Sequence, residues 1–301
     1  MSDASKAVMQ SRTERVRSSL VKAFEQWAEP YDIRPDGVFG SVATIRSGDV
    51  TISSETLDVE FTVPFDDDLE PNEAEIIVYN LSDNTIKQLK RGAKITIEAG
   101  YKGDTGILFS GFISKVKTVY EEADKVTTIN AMDDIKDHTI ESMSFAAGTK
   151  ASYILKALID KTGIPVAVFS PRRDHTYEDA QTVDGDLMEN ISQYAEVCGI
   201  SVYVSKGKIY ARYIKVGDNL NFNVSVETGM IGSPSPYSEE ITAEDYKDTI
   251  DGYKVEMLLQ HRLCAGALVN LTSRNAKGTY RVCSGKHRFS PDEAVTEAKM
   301  Y

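Results

Sequence analysis

Residues 75–103, EIIVYNLSDNTIKQLKRGAKITIEAGYKG, change their hydrophobic period twice within one short stretch. EIIVYNL has the composition of a β-strand, SDNTIKQLKRG that of a short helix, and AKITIEAGY alternates again. Ser82 is placed to cap the helix and Gly92 to end it, with Ile86 and Leu89 on its inward face. The stretch therefore predicts a strand–helix–strand unit, and it contains no catalytic signature.

The surrounding residues predict a β-rich domain over residues 40–140. In TLDVEFTVPF, residues 56–65, apolar and polar side chains alternate as in a half-buried strand. GILFSGFISKVKTVY and KVTTINAMDD add further strands, and the acidic run DDDLEPNE is interpreted as a solvated loop because no EF-hand spacing follows it. Short strands with glycine-containing turns and one small helix favour an antiparallel barrel or sandwich.

The rest of the chain divides into a mixed segment and a second β-rich segment. Residues 145–217 predict a small α/β domain, with one helix from a Thr149 cap to Gly163, a second from Asp186 to Gly199, and a hairpin. Residues 222–301 predict strands again, in GYKVEMLLQHRL, GALVNLTS, GTYRVCSGKHRF and VTEAKMY. The predicted fold class is therefore mainly β with an α+β insert: two antiparallel β-barrels flank a small mixed α/β domain.

An amphipathic helix is predicted at the N-terminus, within residues 1–30. Val16, Leu20, Phe24 and Trp27 fall at helical spacing and form an apolar stripe. Each large side chain would contribute about 1.5–3 kcal/mol if it were fully buried. Two interpretations stay open: the stripe packs on its own chain, or it is an interface with a neighbouring subunit.

Composition excludes several classes of function. The chain has 301 residues and a net charge of −12, which argues against sequence-specific nucleic-acid binding through phosphate contacts. Its longest apolar runs, such as residues 264–269, are too short to cross a bilayer, so we expect no membrane partner. The polar N-terminus resembles no secretory signal, and three cysteines are too few for a disulfide framework. We therefore expect folding in a cytoplasm.

One set of residues has the composition of a zinc site. His261 and Cys264 are three apart, and Cys283 and His287 are four apart. Tetrahedral zinc accepts these ligands, but QHRLCAG predicts a strand, on which residues three apart point to opposite faces. A site would need a turn at residues 262–263, which the local sequence does not favour. Zinc is thus a weak alternative, and we expect no cofactor and no metal.

No nucleophile or acid–base pair is recognisable either. The chain lacks GxSxG, P-loop and HExxH motifs. Cys198 falls on the inward face of its predicted helix, which indicates a buried, small hydrophobic side chain rather than a nucleophile. Its 46 carboxylates are numerous, but number alone selects no catalytic pair. We expect no catalytic residues and predict that the protein is not an enzyme.

An ordered set of segments resembles a known family. AEIIVYNLSDNTIKQLKRGAKITIEAGYKGDTGILFSGFISKV, at residues 74–116, is similar to the first barrel of baseplate or tail hub proteins of long-tailed phages and phage-tail-like bacteriocins. TGMIGSPSPY at 228–237, then GYKVEMLLQHRL and GTYRVCSGKHRF, are similar to later segments of that family in the same order. The matching regions cover roughly residues 45–135 and 228–290.

The resemblance implies a structural role. Hub proteins of this kind are homotrimers in which each subunit carries two barrels related to the tail tube, so that six barrels join a six-fold tube to a three-fold central spike. Implied partners are the tail tube protein, the spike protein and, further, the tape-measure protein and baseplate wedge components. The implied location is the tail or tail-like particle, assembled in the bacterial host cytoplasm. Because the sequence ends soon after the second barrel, any cell-wall hydrolase would be a separate chain.

Three alternatives stay open at this stage. A tube-initiator or distal tail ring protein shares the barrel, although a hexameric ring needs only one barrel per chain. A tail-associated peptidoglycan hydrolase belongs to another class and would require a catalytic carboxylate. A carbohydrate-binding module would need an aromatic platform, but the single tryptophan, Trp27, lies in the predicted terminal helix. Oligomeric mass and peptidoglycan zymography separate the first two from the hub.

Overall fold

A computed structural model describes residues 40–133, 139–243 and 246–301. For residues 139, 239–243 and 246–250 it describes the backbone only. The predicted N-terminal helix, with Val16, Leu20, Phe24 and Trp27, lies outside these ranges. The described part is mainly β, as the sequence predicts.

Seven strands and one helix make up the first block. These are β1 (Ser41–Ser47), β2 (Val50–Ser53), β3 (Val59–Phe65), β4 (Glu73–Tyr79), α1 (Asp83–Gln88), β5 (Lys94–Tyr101), β6 (Asp104–Glu121) and β7 (Asp124–Met132). The middle block follows with β8 (Thr139–Phe145), α2 (Ala151–Thr162), β9 (Val166–Phe169), β10 (Gln181–Asp186), α3 (Leu187–Val197), β11 (Ser201–Ser205) and β12 (Lys208–Arg212). The second β-rich block contains β13 (Asp218–Val224), a 3-10 turn (Val226–Thr228), β14 (Met230–Ala243), β15 (Tyr246–Leu258), β16 (Ala267–Thr272), β17 (Lys277–Phe289) and β18 (Ala294–Met300).

The two β-rich blocks are joined in one sheet of 13 strands, with the main order β14-β15-β18-β17-β3-β4-β7-β6-β5-β1-β2. The joint is the antiparallel pair β3–β17, in register from Phe61 opposite Phe289 to Phe65 opposite Gly285. The rings of Phe61 and Phe289 stack across it with centroids 5.1 Å apart. Because β17 pairs with β3 on one side and β18 on the other, the described strands form an open path rather than two closed, separate barrels.

The hydrophobic cores also cross the predicted block boundaries. The first core contains Leu259, Phe289 and Ala294 from the second β-rich block. The second core takes in Phe65 from β3 and Tyr203 from β11. Burial of one large apolar side chain contributes about 1.5–3 kcal/mol, so these shared residues hold the blocks together as well as filling them.

The unit at residues 75–103 folds as strand, helix and strand. Ser82 caps α1, since its hydroxyl oxygen accepts a hydrogen bond of 3.1 Å from the backbone N–H of Thr85. The helix ends at Gln88, earlier than predicted, and Gly92 belongs to the turn that follows. Gly92 has a φ of +81° and donates its backbone N–H to the carbonyl of Ile113 at 2.8 Å. The glycine thus joins the turn to β6.

The inward face of α1 is the predicted one. Leu89 is buried in the first core, and Ile86 packs against that core in a partly buried position. Lys87 and Lys90 are exposed on the opposite side. The helix therefore covers one end of the first core and presents its basic side chains outward.

One helix cap in the middle block is not the predicted one. Lys150, not Thr149, occupies the N-cap of α2, and its side chain makes no capping hydrogen bond. The Thr149 hydroxyl instead donates to the carbonyl of Ala146 at 2.6 Å. Tertiary contacts replace the cap, because the first-turn N–H groups of residues 151 and 152 reach the carbonyl of His175 and the carboxylate of Asp174.

The other local predictions in this block are confirmed. Gly163 ends α2 in the left-handed conformation, at φ +69°. Asp186 caps α3 by accepting from the backbone N–H of Glu189 at 2.9 Å. The β11–β12 hairpin turns at Lys206 and Gly207, whose φ angles of +52° and +72° match a two-residue type I′ turn.

Candidate functional site

The three blocks meet at a loop that the sequence predicts as strand. β15 ends at Leu258, and the backbone N–H of Leu263 donates to the carbonyl of Gln260 at 3.1 Å, which closes a turn. The Gln260 side-chain oxygen accepts from the backbone N–H of Arg262 at 3.0 Å and from its guanidinium at 2.9 Å. The strand prediction for QHRLCAG is therefore wrong, because side-chain and tertiary hydrogen bonds hold a turn that the local sequence does not favour.

Asp104, at the start of β6, anchors this loop to the first block. Arg262 donates two hydrogen bonds to its carboxylate, each 2.7 Å long, in a bidentate arrangement. The Nε2 atom of His261 lies 3.1 Å from Oδ1 of the same carboxylate. A Cβ atom on Gly106 would lie 2.2 Å from the His261 ring, so a glycine there makes room for the imidazole. Lys206 of the middle block donates to the carbonyl of His261 at 2.6 Å and completes a three-way contact.

Burial and neighbouring charges together set the protonation states of His261 and Asp104. Burial lowers the pKa of His261, and the positive charges of Arg262 and Lys206 lower it further, although contact with Asp104 opposes them. The ring is therefore neutral at physiological pH and donates from Nε2 to the carboxylate. Burial alone would raise the pKa of Asp104, but hydrogen bonds from Arg262 and His261 outweigh burial and hold it below its ordinary value.

A second polar network joins the middle block to the second β-rich block. Arg212 at the end of β12 donates to both carboxylate oxygens of Asp218, at 2.9 and 3.0 Å. Its guanidinium also donates to the Tyr203 hydroxyl at 2.7 Å and to the carbonyl of Gly266 at 3.3 Å. The Arg212 side chain is buried, so these partners replace the water that the guanidinium loses.

The same network reaches the first block through Arg281. Its guanidinium is buried, forms an ion pair with Asp67 and donates to the Tyr301 hydroxyl at 2.9 Å. The run at residues 66–73, predicted as a solvated loop, has two exceptions, because Asp67 is largely buried and Asn72 is buried. Burial, and next the charge of Asp68, raise the pKa of neighbouring Asp66 to about 6.

The four zinc candidates do not converge on one site. His261 contacts Asp104, whereas Cys283 donates from Sγ to the carbonyl of Lys299 at 3.3 Å. His287 is buried with its Nδ1 atom 2.8 Å from the Thr296 hydroxyl, and Cys264 lines a small cavity with His287. Within residues 40–133, 139–243 and 246–301, no group of three or more His, Cys, Asp or Glu side chains is arranged to hold a metal ion. The turn that zinc would need is present, but it serves the contact with Asp104.

Cys198 is fully buried in the middle core, as predicted. Burial raises the pKa of its thiol to about 11, so the thiolate is scarce at physiological pH.

In the described part of the chain, no helix is long and apolar enough to span a membrane.

Sequence reasoning did not find the polar groups that join the blocks. Asp104 and Arg262 are 158 residues apart, and Asp67 and Arg281 are 214 apart. No local spacing signals such pairs. The composition of residues 65–73 indicates a loop. It does not indicate that Asp67 in this loop is paired with the buried Arg281.

Solved structures of tail proteins share this fold. The 43 kDa tail protein of prophage MuSo2 from Shewanella oneidensis aligns with a TM-score of 0.59 at 9% identity, over 86% of this chain and 97% of that one. A tail protein from Neisseria meningitidis MC58 aligns with a TM-score of 0.62 at 10% identity, over 87% of this chain and 96% of that one.

The fold is also found in a secretion system. An E. coli type VI secretion system component, described as structurally similar to the T4 tail proteins gp27 and gp5, aligns with a TM-score of 0.58 at 9% identity, over 85% of this chain and 76% of that one. At these identities the likeness concerns the fold alone.

Family membership rests on sequence. No curated protein matches the chain. A family model described as baseplate hub gp41 matches residues 71–276, which is more than half of the sequence. The chain therefore belongs to the baseplate hub gp41 family, a family of structural proteins.

Proposed function

We propose that this protein is the trimeric hub at the distal end of a phage or phage-like tail. In this role it joins a hexameric tail tube to the central spike and forms part of the conduit. The observation that carries the proposal is the presence of two β-rich blocks in one chain, fused through the β3–β17 pair. Three such chains supply six blocks, which matches a six-fold ring on one side and a three-fold partner on the other.

The way in which the blocks are fused supports this role. An adaptor between two symmetries must hold its two blocks in a fixed relation, since a hinge between them would spoil the six-fold ring. Here the blocks share a sheet and core residues, and the Asp104–Arg262 and Asp67–Arg281 ion pairs tie them together. Removal of one partner from the buried Asp67–Arg281 pair is costly, so this contact resists separation.

The acidity of the chain is consistent with a conduit. A net charge of −12 provides no counterion-release attraction for DNA, so a passing polynucleotide would not adhere to the wall. We propose the tail tube protein and the central spike protein as direct partners. The tape-measure protein and baseplate wedge components are further partners, in a virion tail or tail-like particle assembled in the bacterial host cytoplasm.

Mass measurement tests the proposal. Each chain weighs 33.3 kDa, so native mass spectrometry of the full chain should give a complex of three times that mass. Negative-stain top views should show a three-lobed ring with a central hole. A hexamer would support the tube-initiator or distal-ring alternative, and a monomer at micromolar concentration would refute the hub. On a peptidoglycan zymogram we expect no clearing, whereas a band removed by one Asp or Glu substitution would support the hydrolase.

A further inference from the structure

A cluster of unpaired positive charges stands out on this acidic chain. Lys87, Lys90, Arg91 and Lys94, here called the α1 basic surface, fall within eight residues of sequence and are all exposed. None of them forms an ion pair with another residue that the structure describes. Lys87 is near Asp83, whose pKa its charge helps to lower, but Lys90, Arg91 and Lys94 have no such described neighbour. Adjacent cations repel one another, and an anionic partner would relieve that repulsion.

The fold fixes this surface in place. Packing of Ile86 and Leu89 against the first core turns Lys87 and Lys90 outward. The turn around Gly92 is hydrogen-bonded to β6, which holds the following residues against the sheet. The positive charges are thus presented on a rigid element, which lowers the entropy lost when a partner binds.

A complementary surface lies in the middle block. Residues 178–190, EDAQTVDGDLMEN, contain five carboxylates and no basic residue. These five residues are exposed and define the β10 acidic surface: Glu178, Asp179, Asp184, Asp186 and Glu189. Asp186 also caps α3, but none of the five forms an ion pair with a described residue. Two exposed surfaces of opposite sign are therefore left unneutralised in one subunit.

We propose that the α1 basic surface of one subunit binds the β10 acidic surface of the next copy of this chain. The inference rests on the proposed trimer and names the contact that would close it. A contact between two different surfaces is heterologous, and its repetition around an axis produces a ring. Copies of a chain with net charge −12 repel one another overall, so a local attractive pair sets which faces meet. The second copy is the favoured occupant because the same chain supplies both charges.

Charge reversal in the full chain tests this contact. The variant Lys90→Glu/Arg91→Glu should raise the concentration at which the trimer dissociates by about tenfold or more, since it replaces attraction with repulsion. The matched control is Arg274→Glu/Lys277→Glu, an exposed basic pair at the β16–β17 turn, which should leave dissociation unchanged. Analytical ultracentrifugation across a dilution series measures both. Raising ionic strength from about 0.1 M to about 1 M should shrink the difference in dissociation between the reversal variant and the control, because the screening length shortens from about 10 Å to about 3 Å.

A charge swap provides the decisive comparison. Asp179→Lys/Asp184→Lys alone should also weaken the trimer, and its combination with Lys90→Glu/Arg91→Glu should restore it. An unchanged trimer in Lys90→Glu/Arg91→Glu, or no restoration in the combined variant, overturns the inference while leaving the proposed hub intact. If the reversal spares the trimer but removes binding to purified tail tube protein, the occupant is that protein and the inference is equally overturned. A parent chain that never trimerises refutes the hub and the inference together.

Discussion

His287 should make stability depend on pH, and the effect can be isolated with one substitution. The imidazole is fully buried, lies against the Phe65 ring with centroids 4.9 Å apart, and contacts the Thr296 hydroxyl through Nδ1. Burial lowers its pKa to about 3, and the positive charge of Lys206 acts in the same direction. A folded pKa below the unfolded value of 6.5 means that the unfolded chain binds the proton first as the pH falls. Stability is therefore lost between about pH 7 and pH 3.

The magnitude follows from the two pKa values. One pKa unit corresponds to about 1.4 kcal/mol, so the full loss below about pH 3 approaches about 5 kcal/mol. Between about pH 7.5 and pH 5 the loss is about 2 kcal/mol, because the unfolded imidazole is almost fully protonated at the lower pH. Asp66 acts in the opposite direction, since its raised pKa lets the folded state bind a proton first between about pH 6 and pH 4. The profile of the parent chain alone therefore mixes these two groups with others, among them His261, whose pKa burial also lowers.

The comparison of the parent chain with His287→Asn removes this ambiguity. The asparagine amide can still contact Thr296, but it does not titrate, so the difference in unfolding free energy between the two chains reports His287 alone. Urea denaturation at several pH values and one fixed protein concentration should show the difference changing by about 2 kcal/mol between about pH 7.5 and pH 5. The matched control is the same substitution at the exposed His175, which also removes one imidazole. A difference that does not vary with pH would refute the reasoning.

Three further predictions concern the junctions and the terminus. Asp104→Asn should lower the unfolding free energy by about 1–2 kcal/mol in urea denaturation, since a partly exposed bidentate ion pair is lost; an unchanged midpoint would contradict this. Gly266→Ala should cost more than about 2 kcal/mol in thermal unfolding, because its Cβ would lie 2.1 Å from the Tyr203 hydroxyl, whereas Gly148→Ala, also at positive φ but in open space, should cost less. Deletion of residues 1–30 should leave the trimer folded but impair particle assembly in a complementation assay, and normal particle yield would exclude a docking role.

Local signals in the sequence predicted the elements whose causes are local. The alternation of Val59, Phe61 and Val63 put these side chains in the core, where all three are buried. Ser82 and Asp186 were correctly predicted as caps, because a cap needs only a side chain and the N–H group three residues later. The same reasoning failed at Thr149, where a distant loop supplies the partners of the first turn.

Features that depend on distant contacts escaped prediction. The turn at residues 260–263 contains none of the usual turn residues, and its conformation depends on a carboxylate more than 150 residues earlier. The fusion of the two β-rich blocks depends on which strand meets β3, and hydrophobic alternation in β17 does not specify that partner.

The β3–β17 pair also has a mechanical consequence. Five residue pairs, from Phe61–Phe289 to Phe65–Gly285, connect the blocks along this ladder, and the stacked Phe61 and Phe289 rings lie at one end of it. A force along the strands loads all the backbone hydrogen bonds of the ladder at once, whereas a force across them breaks the bonds one after another. In a particle loaded along its long axis, the orientation of the β3–β17 pair therefore determines how this ladder responds. Its hydrogen bonds either share the load or break in sequence.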